Sequence, residues 1–306
     1  MKEYESFILG GGPAGITAAL YLLRAGIKVG WAEKLSPGGQ VLLTENIDNY
    51  PGFPQGVKGW ELIDKFTAHL DQFEFDKFRD EAIEIRSQSG SYVVKLSESE
   101  ISARTLIICT GARWRKLGIP GEKKFTGRGV SYCAVCDGNF FRGQEVACIG
   151  GGDTALEESL YLSKLVKKIY LIHRRNALRG AKIYQDKIFR DPKIEILYDT
   201  IATEFAGDTS LTGINIENAL TGSKSLLHVT GAFVFIGLDP AGGFFPPGLE
   251  TDALGFIKTD QEMMTSLPGI FAAGDIRSKY CRQVSTAVGD GATAAYNAQA
   301  YLEHNS

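Results

Sequence analysis

Short apolar runs closed by glycine and followed by helical spacing punctuate this chain. The clearest is Ser6-Phe7-Ile8-Leu9, which runs into Gly10-Gly11-Gly12-Pro13-Ala14-Gly15 and then a helical pattern over residues 16–25. An unbroken apolar run of this kind predicts a buried strand, so the order is strand, glycine turn, helix. The pattern returns where Glu145-Val146-Ala147-Cys148-Ile149 precedes Gly150-Gly151-Gly152-Asp153-Thr154-Ala155 and a helical run over residues 156–165. Further strands are predicted over residues 29–32, 91–96, 105–109, 168–172, 231–237 and 256–259, with a long helix over residues 284–302.

Each glycine of such a turn has a mechanical task. Gly10 permits the tight turn, Gly12 lets a pyrophosphate approach the backbone, and Gly15 lets helix and strand pack closely, with the helix N-terminus facing the phosphates. The strand over residues 29–32 ends in Glu33, about 20 residues beyond the turn, where a carboxylate can accept hydrogen bonds from ribose hydroxyls. The corresponding strand of the second copy ends in His173-Arg174-Arg175, with Arg179 close behind. Positive charge at the ribose end suits a 2′-phosphate and therefore NADPH over NADH. Two fingerprints predict an α/β fold with two Rossmann-like dinucleotide-binding domains.

Residues 113–121 and 239–243 are rich in Gly and Pro and read as linkers. The roughly 60 residues after the second linker are too few to bury a core alone. They are expected to complete the first domain, giving residues 1–113 with 245–306, and an inserted domain over residues 114–244. Paired linkers also predict a hinge between the two.

Composition narrows the function. The chain has 306 residues and a net charge of −3 with acids and bases interspersed, which argues against nucleic acid or anionic lipid as a partner. No apolar stretch approaches the roughly 20 residues of a membrane span, and the acidic N-terminus does not suit a secretory signal, so a cytoplasmic protein is expected. Of five cysteines only Cys133 and Cys136 are close together. A C-x-x-C can be a zinc half-site, a structural disulfide, a redox dithiol or two buried thiols. Cys109, Cys148 and Cys281 stand singly and the four histidines are scattered, so no metal site is predicted. Its place between two dinucleotide fingerprints suggests electrons passing from a nucleotide to a disulfide.

These motifs, together with Gly38-Gly39-Gln40, residues 45–52, Thr110-Gly111-Ala112, Gly274-Asp275 and Arg282-Gln283, occur in an order that strongly resembles the low-molecular-weight thioredoxin reductases along nearly the whole sequence. The resemblance implies a homodimeric flavoprotein that takes electrons from NADPH through FAD to a Cys133/Cys136 disulfide and on to thioredoxin. It implies that the discontinuous domain binds FAD, through Gly10, Gly12, Pro13, Ala14, Gly15, Glu33, Lys34, Gly38, Gly39 and Gln40 on the adenosine and pyrophosphate side. Asn49 would sit beside the isoalloxazine, Asp275 on the ribityl chain, and Thr110, Gly111, Gly274, Arg282, Gln283 and Val284 around them. Gly150, Gly152, Asp153, Thr154, Ala155, His173, Arg174, Arg175 and Arg179 would bind NADPH in the inserted domain.

Asp137 would be the acid that protonates a leaving sulfur, although by propensity alone it reads as the N-cap of a turn opening at Gly138. Phe140 and Phe141 are expected in the core, and Cys281 as a buried thiol. Which cysteine attacks the partner is left open by the spacing. Two other functions fit part of the pattern: an NADPH-dependent flavoprotein reducing another dithiol carrier or a small disulfide, and a non-catalytic flavin redox sensor. Ferredoxin-driven relatives lack good NADPH motifs, which this chain has.

Overall fold

A computed structural model describes the chain except for Glu45, Asn46, Asp48, Ser89 and Ser306 and the side chain of Leu43. It divides into two compact units, Met1–Arg113 with Asp239–Ser306, and Trp114–Leu238. Along the first segment run β1 (Lys2–Leu9), α1 (Pro13–Arg24), β2 (Val29–Ala32), α2 (Gly59–Ala68), β3 (Asp76–Phe78), β4 (Ala82–Gln88), β5 (Ser91–Leu96), β6 (Glu100–Ile108) and β7 (Ala112–Trp114). The second unit holds α3 (Glu122–Phe125), β8 (Val130–Ser131), α4 (Ala134–Asp137), β9 (Glu145–Gly150), α5 (Asp153–Leu162), β10 (Lys168–Ile172), α6 (Lys182–Arg190) and β11 (Ile194–Leu197). It continues with β12 (Thr200–Gly207), β13 (Leu211–Asn218), β14 (Lys224–Leu227) and β15 (Gly231–Phe235), and β16 (Leu238–Pro240) leads back to β17 (Ile270–Ala272) and α7 (Val284–His304).

In the first unit β1 lies between β2 and β6 in a sheet ordered β3-β2-β1-β6-β5-β4. Opposite β1, the long β6 serves two further neighbours: residues 100–103 pair antiparallel with β5, and residues 106–108 pair parallel with β17. Side chains of β1 alternate between two cores, Ile8 packing with α1 and α7, and Phe7 and Leu9 with Ile85 and Ile270 on the other face. Burial on both faces is why the run reads as continuously apolar. Helices α1 and α7 approach so closely that a Cβ on Gly291 would lie 2.3 Å from the Ala14 carbonyl oxygen.

The second unit repeats the plan with the parallel order β11-β10-β9-β15-β8 and adds an antiparallel β12-β13-β14 sheet. Val146 and Cys148 of β9 face one core, Ala147 and Ile149 the other.

Some elements differ from expectation. Residues 256–259 form isolated bridges, Ile257 to Thr251 and to Arg277, rather than a strand. Ala241, expected in the inserted segment, is tied to the first unit, its N–H donating to the Gly111 carbonyl (2.9 Å) and its own carbonyl accepting from Thr110 Oγ1 (2.7 Å).

Candidate functional site

The first glycine turn is shaped by contacts that exclude side chains. Gly10 has φ +102°, and a Cβ there would sit 2.5 Å from the Cys109 carbonyl oxygen; a Cβ on Gly15 would sit 1.9 Å from the Gly10 oxygen. A Cβ on Gly12 would meet nothing within 4 Å, so the backbone faces open space there. Helix α1 begins with Pro13 and has neither a side-chain cap nor an acid in its first turn, leaving its positive end for an anion. Glu33 closes the turn from the end of β2: Oε2 accepts from the Gly11 N–H (2.7 Å) and Oε1 from the Leu35 N–H (2.9 Å). Gly38 returns to the same place, its N–H donating to the Gly11 carbonyl at 2.7 Å.

Around this turn the other expected residues take definite partners. Lys34 pairs with Glu81, Gln40 Nε2 donates to the Ala112 carbonyl, and Asn49 Nδ2 donates to Gln283 Oε1 at 3.1 Å. Of the 45–52 stretch, Glu45, Asn46 and Asp48 lie outside the described residues. Gly274 has φ +79° and donates its N–H to Asp290 Oδ2 (3.0 Å), a carboxylate also held by Arg277 (2.9 Å) and Lys279 (2.8 Å). Asp275 follows, with Oδ1 buried and without a hydrogen-bond partner. Burial raises its pKa against the opposing pull of Lys279 and Arg282. Arg282 donates to the Lys279 and Arg277 carbonyls and lies over the Phe256 ring at 4.3 Å, while its Nε is buried without a partner. Gln283 caps α7, its N–H reaching Thr286 Oγ1 at 3.2 Å, and Val284 opens the helix.

A buried carboxylate oxygen without a donor is costly unless a ligand supplies one. Together with the open face at Gly12, the orphaned Asp275 oxygen fits a dinucleotide carrying hydroxyl groups, as FAD does.

The second turn repeats the first with different neighbours. A Cβ on Gly150 would lie 2.4 Å from the Phe235 carbonyl oxygen, and one on Gly152 would meet nothing within 4 Å. Asp153 at the head of α5 accepts from the Ala181 N–H at 2.6 Å, next to the exposed Thr154, and Ala155 is buried. The loop after β10 folds over the turn, the N–H groups of Arg179 and Gly180 donating to the Gly151 carbonyl at 2.7 and 3.1 Å. Arg174, Arg175 and Arg179 are exposed. His173 does not join them: it is buried against Gly151, its Nε2 lies 2.9 Å from the Ala177 carbonyl, and burial lowers its pKa. A neutral ring beneath the turn is a spacer, and the exposed positive charge comes from the arginines.

The dithiol lies in this second unit. Cys133 and Cys136 form a disulfide with Cα atoms 5.3 Å apart, across the single turn α4. Cys133 caps the turn, its Sγ accepting from the Cys136 N–H at 3.2 Å. Asp137 stands at the N-cap position of the 3-10 turn that opens at Gly138, without a side-chain capping bond; its Oδ2 accepts from Ser131 Oγ at 2.5 Å. Ser131 Oγ in turn accepts from the Cys133 N–H at 3.1 Å, so one buried hydroxyl links the acid to the dithiol backbone. Glu158 of α5 reaches the same turn, its Oε2 accepting from the Ala134 N–H at 2.9 Å. Ser131 and Glu158 were not singled out from sequence. Ser131 belongs to the dithiol motif, whereas Glu158 carries no local signal beyond its place on the helix after the second turn.

Two expectations are corrected. Phe141 packs edge-on against Phe233, but its neighbour Phe140 is 51% exposed, because a 3-10 turn rather than a strand carries both and points them apart. Cys281 is exposed, since it precedes α7 in an irregular segment. Cys109 and Cys148 are buried thiols, and burial pushes Cys148 up to about 12.

Two glycine turns, an orphaned acid and a paired disulfide define a nucleotide-dependent disulfide oxidoreductase. A family model for the pyridine nucleotide-disulphide oxidoreductases matches residues 4–291, and the chain belongs to that family. It is 43% identical over 304 residues to a thioredoxin reductase of Listeria monocytogenes, covering 99% of this chain and 95% of that protein. It is likewise similar to the crystal structure of thioredoxin reductase from Streptococcus pyogenes, with a TM-score of 0.95, 42% identity and 99% of each chain covered. A ferredoxin-flavin thioredoxin reductase from Clostridium acetobutylicum is more distant, at 28% identity and a TM-score of 0.55 over 99% of both chains. Within the wider family the chain is a member of the thioredoxin reductases.

Proposed function

We propose that the chain is an NADPH-dependent thioredoxin reductase whose Cys133/Cys136 pair reduces the disulfide of thioredoxin. FAD, when bound, supplies the two-electron chemistry that connects a nicotinamide to a disulfide. The first unit would hold it: the α1 N-terminus takes the pyrophosphate, Glu33 the ribose hydroxyls and Asp275 the ribityl hydroxyls. The second unit would hold NADPH, with the α5 N-terminus at the pyrophosphate and Arg174, Arg175 and Arg179 at the 2′-phosphate.

Once the pair is reduced, one cysteine thiolate attacks a thioredoxin sulfur. A new intermolecular S–S bond forms, the thioredoxin S–S bond breaks, and the departing sulfur takes a proton. Asp137, whose carboxylate is bonded by Ser131 Oγ beside the dithiol, would supply that proton. The second cysteine then attacks the mixed disulfide, restoring the Cys133–Cys136 bond and releasing reduced thioredoxin. The reading includes a homodimer, and a cytoplasmic place in which a reducing compartment would keep Cys109, Cys148 and Cys281 as thiols. Among the described residues no helix is long and apolar enough to cross a membrane.

The observation that carries this reading is the Cys133–Cys136 disulfide in the same compact unit as a nucleotide turn flanked by three exposed arginines. A Cys136→Ser variant is expected to keep NADPH-dependent bleaching of the bound flavin in stopped flow and to lose thioredoxin turnover. Turnover retained by that variant would remove the pair from the reaction.

A further inference from the structure

Turns that begin with a cysteine ordinarily stabilise its thiolate, because free amide hydrogens at the head of the turn point toward the sulfur. Here the first two are turned to a carboxylate. The Ala134 N–H, the first after Cys133, donates to Glu158 Oε2 at 2.9 Å, and the Val135 N–H also bonds to this carboxylate. Cys133 Sγ is left with the Cys136 N–H as its backbone donor among the described contacts.

We propose that Glu158 is a positioning residue for the Cys133/Cys136 couple, holding the head of the dithiol turn with its carboxylate and keeping the reduced pair strongly reducing. This rests on the redox reading of the pair given above. Reduction adds two electrons to the Cys133–Cys136 bond, breaks it, and leaves two sulfurs that share the incoming protons as thiol or thiolate. An anion bonded to the amide next to Cys133 raises the energy of the thiolate, whereas the oxidised pair carries no charge to repel. The reduced form is therefore destabilised relative to the disulfide, and the couple shifts to a more negative potential. Electrons then pass more readily to an acceptor disulfide.

Glu158 is half-buried; burial raises its pKa, and the two amides oppose the rise by favouring the charged form. The charged neighbour acting on it is Glu157, a second anion on the same helix; Cys148 of β9, a buried thiol, feels the Glu158 charge as well. The two amides compensate the burial of the Glu158 charge, and they are the donors withdrawn from the cysteine.

Glu158→Gln keeps an oxygen that can accept from Ala134 but removes the charge, so it separates field from shape. The holoenzyme is equilibrated with dithiothreitol redox buffers, quenched with an alkylating reagent, and the peptide carrying Cys133 and Cys136 is quantified by mass. The variant is expected to reduce more easily, with an equilibrium constant about tenfold higher, equivalent to 29.6 mV for a two-electron couple. Glu157→Gln should shift it less. An unchanged constant in Glu158→Gln, or a shift toward harder reduction, overturns the proposal. Should that variant fail to fold, the reduced wild-type enzyme decides: its faster-reacting cysteine should titrate in alkylation near the free value of about 8.5. A midpoint below about 7 would mean that the thiolate is stabilised after all. If instead the wild-type pair shows no reversible couple, the redox reading itself fails, an outcome distinct from either of these.

Discussion

The two glycine turns are built alike and finished differently. In each, the middle glycine is pressed by the end of the neighbouring strand: a Cβ on Gly11 would meet Trp31 at 2.6 Å and Glu33 at 3.0 Å, and one on Gly151 would meet the His173 ring at 2.3 Å. The first strand thus delivers a carboxylate to the turn. The second delivers a neutral imidazole with arginines beyond it. Among the described residues the buried side-chain polar atoms without partners, Ser6 Oγ, Asp275 Oδ1 and Arg282 Nε, all belong to the first unit. Under the proposed function, the Asp275 oxygen is the one of these that a bound FAD would meet.

The helix–strand contact breaks the symmetry most sharply, because the first turn requires Gly15 where the second accepts Ala155. Gly15→Ala should drive a Cβ into the Gly10 carbonyl, costing about 3 kcal/mol of stability and most of the bound FAD, read by thermal unfolding and flavin absorbance. The reverse change, Ala155→Gly, should cost only about 1 kcal/mol and leave NADPH binding in place.

At the strand ends the test is nucleotide choice. Replacing Arg174, Arg175 or Arg179 by Ala removes a charge-assisted contact of roughly 1.5–3 kcal/mol, so KM for NADPH should rise about tenfold or more while KM for NADH stays put. An equal rise for both would move these arginines away from the 2′-phosphate.

The smallest effect is expected at Asp275. Its pKa is raised by burial, so the folded apo-protein holds its proton more tightly than the unfolded chain does. The sign follows: apo stability falls as pH rises through the ordinary carboxylate range near 4, and stays lower at neutral pH. Asp275→Asn should remove that slope and stabilise the apo-protein by about 1 kcal/mol at pH 7, while FAD binds more weakly by fluorescence titration.

Periodicity made both turns, their strands and the long C-terminal helix legible, because strands buried on two faces read as unbroken apolar runs and glycine marks where the backbone must come close. The disulfide partners were legible as a pair, and their chemistry only through neighbouring motifs. What sequence hid depends on distant packing. His173 reads as a cation but is turned inward by Gly151. Phe140 and Phe141 are adjacent yet part company in a 3-10 turn. Residues 256–259 read as a strand but make only the isolated bridges of Ile257. Glu158 and Ser131 acquire their roles from α5 and β8 meeting at one turn, which no local spacing announces.

The most direct test is NADPH oxidation measured with and without oxidised thioredoxin, beside NADH under the same conditions. Consumption of NADPH that requires thioredoxin and yields two thioredoxin thiols per NADPH, with NADH much slower, is the predicted result. Equal use of NADH, or NADPH oxidation indifferent to thioredoxin, would contradict the account.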